Sequence, residues 1–486
     1  MNINMDKKRN HWNINNSYSK LPKKLYSKQL PEKSLNPEKI YFNSNLASEL
    51  GLNKFSENEI LDYFSGNKIP NGSIPISQAY AGHQFGRFTM LGDGRAVLIA
   101  EHICPHNERN DIQLKGSGKT PFSRGGDGKA TLSSVLREYI MSEAMHYLGI
   151  PTSRSLAIIK TGEKVFRERE YDGGILTRVL SSHIRFGTFE FVRNYCSKKE
   201  LEIFFSYVLE RHYSDLKSTK NQALNFFDIV MKNHIKLVVD WMRVGFIHGV
   251  MNTDNMSISA ETIDYGPCAF MNVFNNDTVF SSIDRFGRYS FGNQPKILHS
   301  NLVILANTLI PLVSNNEDKS IELLKDRIDK FSNYYNEKWY NMMFNKIGII
   351  NPKYEDRILV DSLLELMSLY KADYTNTFAS LSMDFEYEDN IFKQDDFKKW
   401  RLDWKQRIKI SNNYEENFNL MKLHNPVQIP RNYLVEIALK NSINGDYEKF
   451  NELLKITSKP YDYLEKTKLQ KTPVGFDDSY KTFCGT

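Results

Sequence analysis

Apolar residues recur along this chain with two periods, and the change of period divides it. Around 111–115, Ile112 and Leu114 alternate with Asp111, Gln113 and Lys115, which predicts a half-buried strand with Lys115 on its polar face. Just upstream, FGRFTMLGDGRAVLIAE at 85–101 sets Asp93-Gly94 between two apolar stretches and predicts a hairpin. From 131 the period lengthens. TLSSVLREYIMSEAMHYLG predicts a helix with Val135, Leu136, Tyr139, Ile140 and Leu148 on its apolar side. Ser133 or Ser134 would cap it, Gly149 would end it, and Pro151 blocks continuation. NQALNFFDIVMKNHIKLVVDWMRVG at 221–245 predicts a long helix with Gly245 just past its end. Further helices are expected at 357–370 and after the prolines of HNPVQIPRNYLVEIAL.

These patterns organise the chain into an irregular, partly helical extension (1–75), a Gly-rich β lobe (76–190), a helical lobe (191–418) and a helical tail (419–486). A β lobe followed by a helical lobe is an α+β arrangement, bilobal as in protein kinases. A length of 486 residues is ample for two cores. The net charge of +6 is small and interleaved, which argues against nucleic acid as a partner. None of the four cysteines forms a CxxC pair, so a zinc site is not expected and a reducing cytoplasm is the default. No apolar run approaches a membrane span, and the polar N-terminus lacks the apolar stretch of a secretory signal. A cytoplasmic protein with no membrane partner, and a monomer, is the expectation.

The candidate chemistry concentrates at 248–266, which reads HGVMNTDN, a short linker, then DYG. Asn255 and Asp264 are expected at the two ends of a short hairpin, with Met256, Ile258 and Ile263 on its apolar side and Ala260-Glu261 at its turn. That geometry would aim two oxygen ligands at one hard cation, Mg²⁺ or Mn²⁺, shared with substrate phosphates. The stretch resembles the kinase catalytic loop and D-F-G motif, with one departure. The usual catalytic Asp would fall at Val250, so Asp254 is the nearest carboxylate able to act as base. Upstream, Gly92 and Gly94 would let backbone N–H groups approach a phosphate, with Arg95 as a cation beside them. Lys115 stands where a kinase strand lysine would, with Glu138 as its expected ion-pair partner and Glu143 as the competing choice. Arg178 and Arg185 add planar forks suited to phosphate. GSGKT at 116–120 is not a Walker A loop, because Gln113 stands where the first glycine must be.

Together these segments resemble the SelO family of selenoprotein O or YdiU-like proteins over nearly the whole chain. The resemblance rests on YAGHQFG at 80–86, LGDGRA at 91–96, QLKGSGKTPFSRGGDGKA at 113–130, REY at 137–139, and HGVMNTDN with DYGP. GRYSFGNQP at 287–295, ADYTNTF at 372–378, Trp400, Trp404 and NPVQIPRN at 425–432 extend it. Ile283-Asp284 and Ser300 depart from the family, where Ser-Asp and Trp are usual. The resemblance implies a kinase-like fold and AMP transfer from ATP to Ser, Thr or Tyr hydroxyls of proteins, with ATP bound in a flipped orientation. It implies nucleotide contacts from Gly92, Gly94, Arg95, Lys115, Asp127, Gly128, Arg178, Arg185 and Asp264, metal ligation by Asn255 and Asp264, and Asp254 as proton acceptor. UMP transfer from UTP, ordinary γ-phosphoryl transfer and non-catalytic nucleotide binding are the alternatives. Family members often carry selenocysteine or cysteine near the C-terminus, and Cys484 holds that place here. A link from Cys484 to Cys268 and two independent thiols are both open.

Overall fold

Strands β1 (Tyr26–Lys28), β2 (Glu38–Phe42), β3 (Ile76–Gln78), β6 (Ala96–Ile103), β7 (Arg109–Lys115), β9 (Arg154–Phe166) and β10 (Glu170–Leu180) form one sheet in the order β1-β3-β6-β7-β10-β9-β2. A two-residue strand, β8 (Ala130–Thr131), also pairs with β10, and the pairings are antiparallel. The structure, a computed structural model, describes residues 11–84, 86–385, 387–409, 414–463 and 470–483. The chain is a mixed α/β protein of two compact units. One runs up to Tyr139 and resumes at Ser153–Val208; the other takes Ile140–Thr152 and everything described from Leu209 onward.

In the first unit the alternation at 111–115 is real, but its consequence differs from expectation. Ile112 and Leu114 join Val97, Ile99, Leu156, Ala157, Ile159 and Ile175 in an apolar core. The opposite face is not open to water, since Asp111 and Gln113 are fully buried and Lys115 nearly so. A polar layer therefore lies under cover, and every member of it needs a partner. The hairpin expected over 85–101 also resolves differently. β5 (Arg87–Met90) pairs back with β4 (Ala81–Gln84), whereas β6 pairs with β3 and β7. Asp93 explains the change. Its N–H donates to the Gln78 carbonyl, and its carboxylate accepts from the Gln78 N–H at 3.0 Å and Gln113 Nε2 at 3.2 Å. The turn is thus tied to the large sheet and does not close a hairpin.

The extension expected to be irregular supplies both edge strands, β1 and β2. Strands of three and five residues carry too little alternation to be read from sequence. The helix Leu132–Tyr147 forms as predicted, with all five named apolar residues buried. Its first turn is held by Thr131, whose Oγ1 accepts from the Ser134 N–H, so neither Ser133 nor Ser134 is the cap. Gly149 adopts φ +74° and the Ile150 N–H reaches back to Met145, the hydrogen bond of a left-handed helix terminus.

The second unit is helical. Gln222–Arg243 is one of its long helices, and Gly245 just past its end takes φ +74° as the sequence implies. Two-residue strands β11 (Phe246–Ile247) and β12 (Ala269–Phe270) pair across the base of the 248–268 segment. Helices at Arg357–Leu369 and Asn432–Ile443 fall where expected. One expectation needs amending: Phe291–Val313 is long and apolar enough to cross a membrane by length and composition alone. In this unit its Leu298, Leu302, Leu305 and Leu309 are buried.

Candidate functional site

The polar layer of the sheet gathers several of the expected nucleotide contacts. Register pairs Arg178 with Gln113 and Leu176 with Lys115, so Lys115 and Arg178 emerge on one face. Between them stands Glu138, one Oε 2.6 Å from Lys115 Nζ and the other 2.5 Å from Arg178 Nε. Glu138, not Glu143, is therefore the lysine's partner. All three side chains are nearly buried, and two cations share one carboxylate.

Arg185 sits at the start of the helix Phe186–Tyr195, its guanidinium 4.5 Å over the Tyr80 ring and 3.9 Å from Asp93. Asp93 is buried. Burial raises its pKa, only partly offset by Arg185 and the Gln78 N–H. Next to it, Asp111 accepts from the His183 N–H at 3.0 Å and approaches His183 Nδ1 at 3.2 Å. Sequence reading missed Asp93, Asp111 and His183 as members of this layer. Asp93 looked like a turn former, and the polar alternates of β7 looked solvated.

The glycines serve packing. A Cβ on Gly92 would lie 2.3 Å from the Phe122 ring, and one on Gly94 2.8 Å from the Phe122 carbonyl oxygen. Gly128, at φ +69°, would meet the Gly118 carbonyl at 2.0 Å. These contacts lock the loop after β7 against the 92–94 turn, and Thr120 Oγ1 donates to the Asp93 carbonyl at 2.7 Å. Asp127 is engaged by both Arg167 Nη atoms at 2.7 and 3.1 Å and by the Lys129 N–H. Burial would raise its pKa, but the Arg167 and Lys129 contacts outweigh it and hold the carboxyl below its usual range. Arg95 is half-buried, and its carbonyl accepts from the Gly116 N–H.

In the second unit the 248–266 segment is built as a pinned loop. His248 Nε2 donates to the Ile263 carbonyl at 3.0 Å, and its N–H donates to Gln294 Oε1. Burial lowers the His248 pKa against the pull of that carbonyl and of Asp264. The expected hairpin is reduced to one bridge, Met256 with Thr262. Its apolar side is as expected, with Met256, Ile258 and Ile263 buried, and Ala260 takes the left-handed conformation at the turn. Thr253–Asn255 is a single 3₁₀ turn carrying Asp254, which is 7 % exposed. Asn255 Nδ2 donates to the Val250 carbonyl at 2.9 Å, leaving Oδ1 to face a different partner. Asp264 adopts φ +67°, a conformation costly for a residue with a Cβ, and its side chain is partly exposed. Asn255 and Asp264 carry the amide and carboxylate oxygens that hard cations favour, while among the described residues no group of three or more His, Cys, Asp or Glu side chains is arranged to hold a metal. Cys268 is buried with its Sγ 3.5 Å from the Tyr265 carbonyl, and Cys484 lies outside the described residues.

Residues 9–458 match the family model described as "Protein adenylyltransferase SelO". Proteins named "Protein nucleotidyltransferase YdiU" from Clostridium beijerinckii and Pelagibacter ubique are 49% and 50% identical over 479 residues. These alignments cover 98% of this chain and 98% and 99% of those proteins. A namesake from Anoxybacillus flavithermus is 48% identical over 481 residues.

Proposed function

Because this chain belongs to the SelO family of protein adenylyltransferases, a nucleotidyltransferase in activity, we propose that it moves AMP from ATP to Ser, Thr or Tyr hydroxyls through the residues described above. The observation that carries this reading is the buried Lys115–Glu138–Arg178 triad on a β sheet, which brings a lysine and an arginine to one carboxylate. In this reading the triad, with Arg185 and Arg95, takes the β- and γ-phosphates. The α-phosphorus is then left to face the acceptor hydroxyl, the reverse of a kinase. Gly92, Gly94, Asp127 and Gly128 shape the walls of that phosphate site. The kinase-like bilobal arrangement and a monomeric, cytoplasmic enzyme belong to the same proposal.

Asn255 and Asp264 would hold Mg²⁺ or Mn²⁺, whose chemistry when bound is to draw charge from phosphoryl oxygens. Asp254 accepts the proton of the acceptor hydroxyl as the oxygen attacks phosphorus and pyrophosphate leaves. Val250, where a kinase would carry its base, is buried and its hydrocarbon side chain has no group that could accept a proton.

The test is isotopic. Incubation with ATP, metal and an acceptor protein should leave α-label, and one AMP mass by intact mass spectrometry, on the acceptor. Transfer of γ-label in its place would make the chain a phosphoryl-transferring kinase, and binding without either label would make it a scaffold.

A further inference from the structure

The segment GRYSFGNQP at 287–295 bears none of the chemistry assigned so far, yet its side chains reach the 248–255 loop at both ends. Gln294 is fully buried and bonds twice: Oε1 accepts from the His248 N–H at 3.1 Å, and Nε2 donates to the Phe246 carbonyl at 3.1 Å. Tyr289, 1 % exposed, donates its hydroxyl to Asn252 Oδ1. Asn252 opens the 3₁₀ turn of Asp254 and Asn255, its carbonyl accepting from the Asn255 N–H at 2.9 Å. Tyr289 is itself fixed, because the Arg288 and Tyr289 N–H groups donate to the two Asp284 oxygens at 2.9 and 2.7 Å.

We infer that Tyr289 is a positioning residue for Asp254 and Asn255, acting through Asn252, with Asp284 as its anchor. An isolated one-turn helix cannot hold two functional side chains still, because short helical turns lack cooperative support. A hydroxyl bonded to the residue that starts the turn fixes the direction in which Asp254 points. Burial raises the Tyr289 pKa, and the nearby Asp254 and Asp284 charges add to this against Arg288. The phenol therefore stays protonated and remains a donor throughout the neutral range. Misplacing a catalytic group by about 1 Å can cost on the order of 100-fold, so a hydroxyl that constrains without touching substrate can still govern the rate.

The inference rests on the assignment of Asp254 and Asn255 to the chemistry. Tyr289→Phe keeps the ring and deletes the donor. AMP transfer should fall about 10-fold or more in kcat, with the ATP KM within about twofold of wild type. Calorimetric Mn²⁺ binding in the presence of a non-hydrolysable ATP analogue should weaken, because Asn255 shares the turn. Phe286→Ala, on the same loop with a side chain 97 % exposed, should behave as wild type in both assays. A Tyr289→Phe protein with wild-type kcat and Mn²⁺ affinity overturns the inference, as does an equal loss in Phe286→Ala, which would mean that the loop matters and the hydroxyl does not. If Asp254→Ala keeps full rate, the fault lies in the catalytic assignment, which separates the two failures.

Discussion

Single side chains carry the sharpest expectations. Asp254 is the base of the proposed transfer, and general-base catalysis contributes about 10²–10⁴-fold. Asp254→Ala and Asp254→Asn should both slow single-turnover AMP transfer on that scale, since an amide keeps the shape but cannot take a proton. ATP binding should survive in both, and full rate in both would reduce Asp254 to a turn former. The phosphate floor is tested by ligand length. Lys115→Met and Arg178→Ala each remove a charged hydrogen-bond donor, so calorimetry should show ATP binding weakened by about 1.5–3 kcal/mol. AMP, lacking the outer phosphates, should lose much less, and equal losses for the two ligands would refute the flipped pose. At this scale the sequence was informative where a strand and a helix each showed their period, as in the pairing of Lys115 with Glu138. It was silent on Asp93 and His183, because nothing local reports that a turn carboxylate or a loop imidazole will be buried.

Secondary-structure elements explain why the loop of Asp254 and Asp264 holds its shape. The helix Gln222–Arg243 sends His234 and Trp241 toward it: His234 Nε2 lies 2.9 Å from the Ser257 carbonyl, and Trp241 Nε1 donates to Thr262 Oγ1 at 2.8 Å. His234 Nδ1 lies 2.8 Å from the Val230 carbonyl of its own helix. Two carbonyls favour the imidazolium, but complete burial dominates and lowers the pKa to about 4. The unfolded chain, with an ordinary histidine pKa near 6.5, therefore binds a proton first as pH falls. Stability should be flat above about pH 6.5 and decline between there and about pH 4, by on the order of 3 kcal/mol for His234 alone. His248 is displaced in the same direction and adds to the slope. Denaturant titrations at stepped pH should show that decline, and a His234→Leu variant should show a shallower one. An unchanged slope would mean that the ring is protonated in the fold. Long periodic helices such as this one were legible in sequence down to their glycine terminators. The β-hairpin expected over 85–101 was not, because a buried Asp93 outcompetes a turn signal that assumes a solvated carboxylate.

For the helical unit as a whole, the tail is what closes the fold. Arg431, within NPVQIPRN, is completely buried and holds Asp373 with both Nη atoms at 2.7 and 3.0 Å. The same guanidinium reaches Asn272 Oδ1 at 2.8 Å and Asn376 Oδ1 at 3.0 Å, while Asn432 bonds the N–H and carbonyl of Phe270. Asn272 in turn donates to Asp477 Oδ1 at 2.6 Å. Two motifs quoted for their family resemblance, ADYTNTF and NPVQIPRN, thus prove to be partners in one buried network joining residues 270–376 to 425–477. Neither motif announces this pairing by itself, since the partners lie more than 50 positions apart. Removing one member of a buried ion pair strands the other, at a cost of about 3–5 kcal/mol. Arg431→Met should therefore lower the denaturant midpoint of the helical unit by an amount in that range. Because β12 is stitched to the tail only a few residues beyond Asp264, AMP transfer should fall with it. Arg431→Met with Asp373→Asn should recover part of the stability, since the stranded carboxylate is what costs most. A single variant as stable as wild type would mean that water reaches Asp373 and that the tail is held by its apolar contacts.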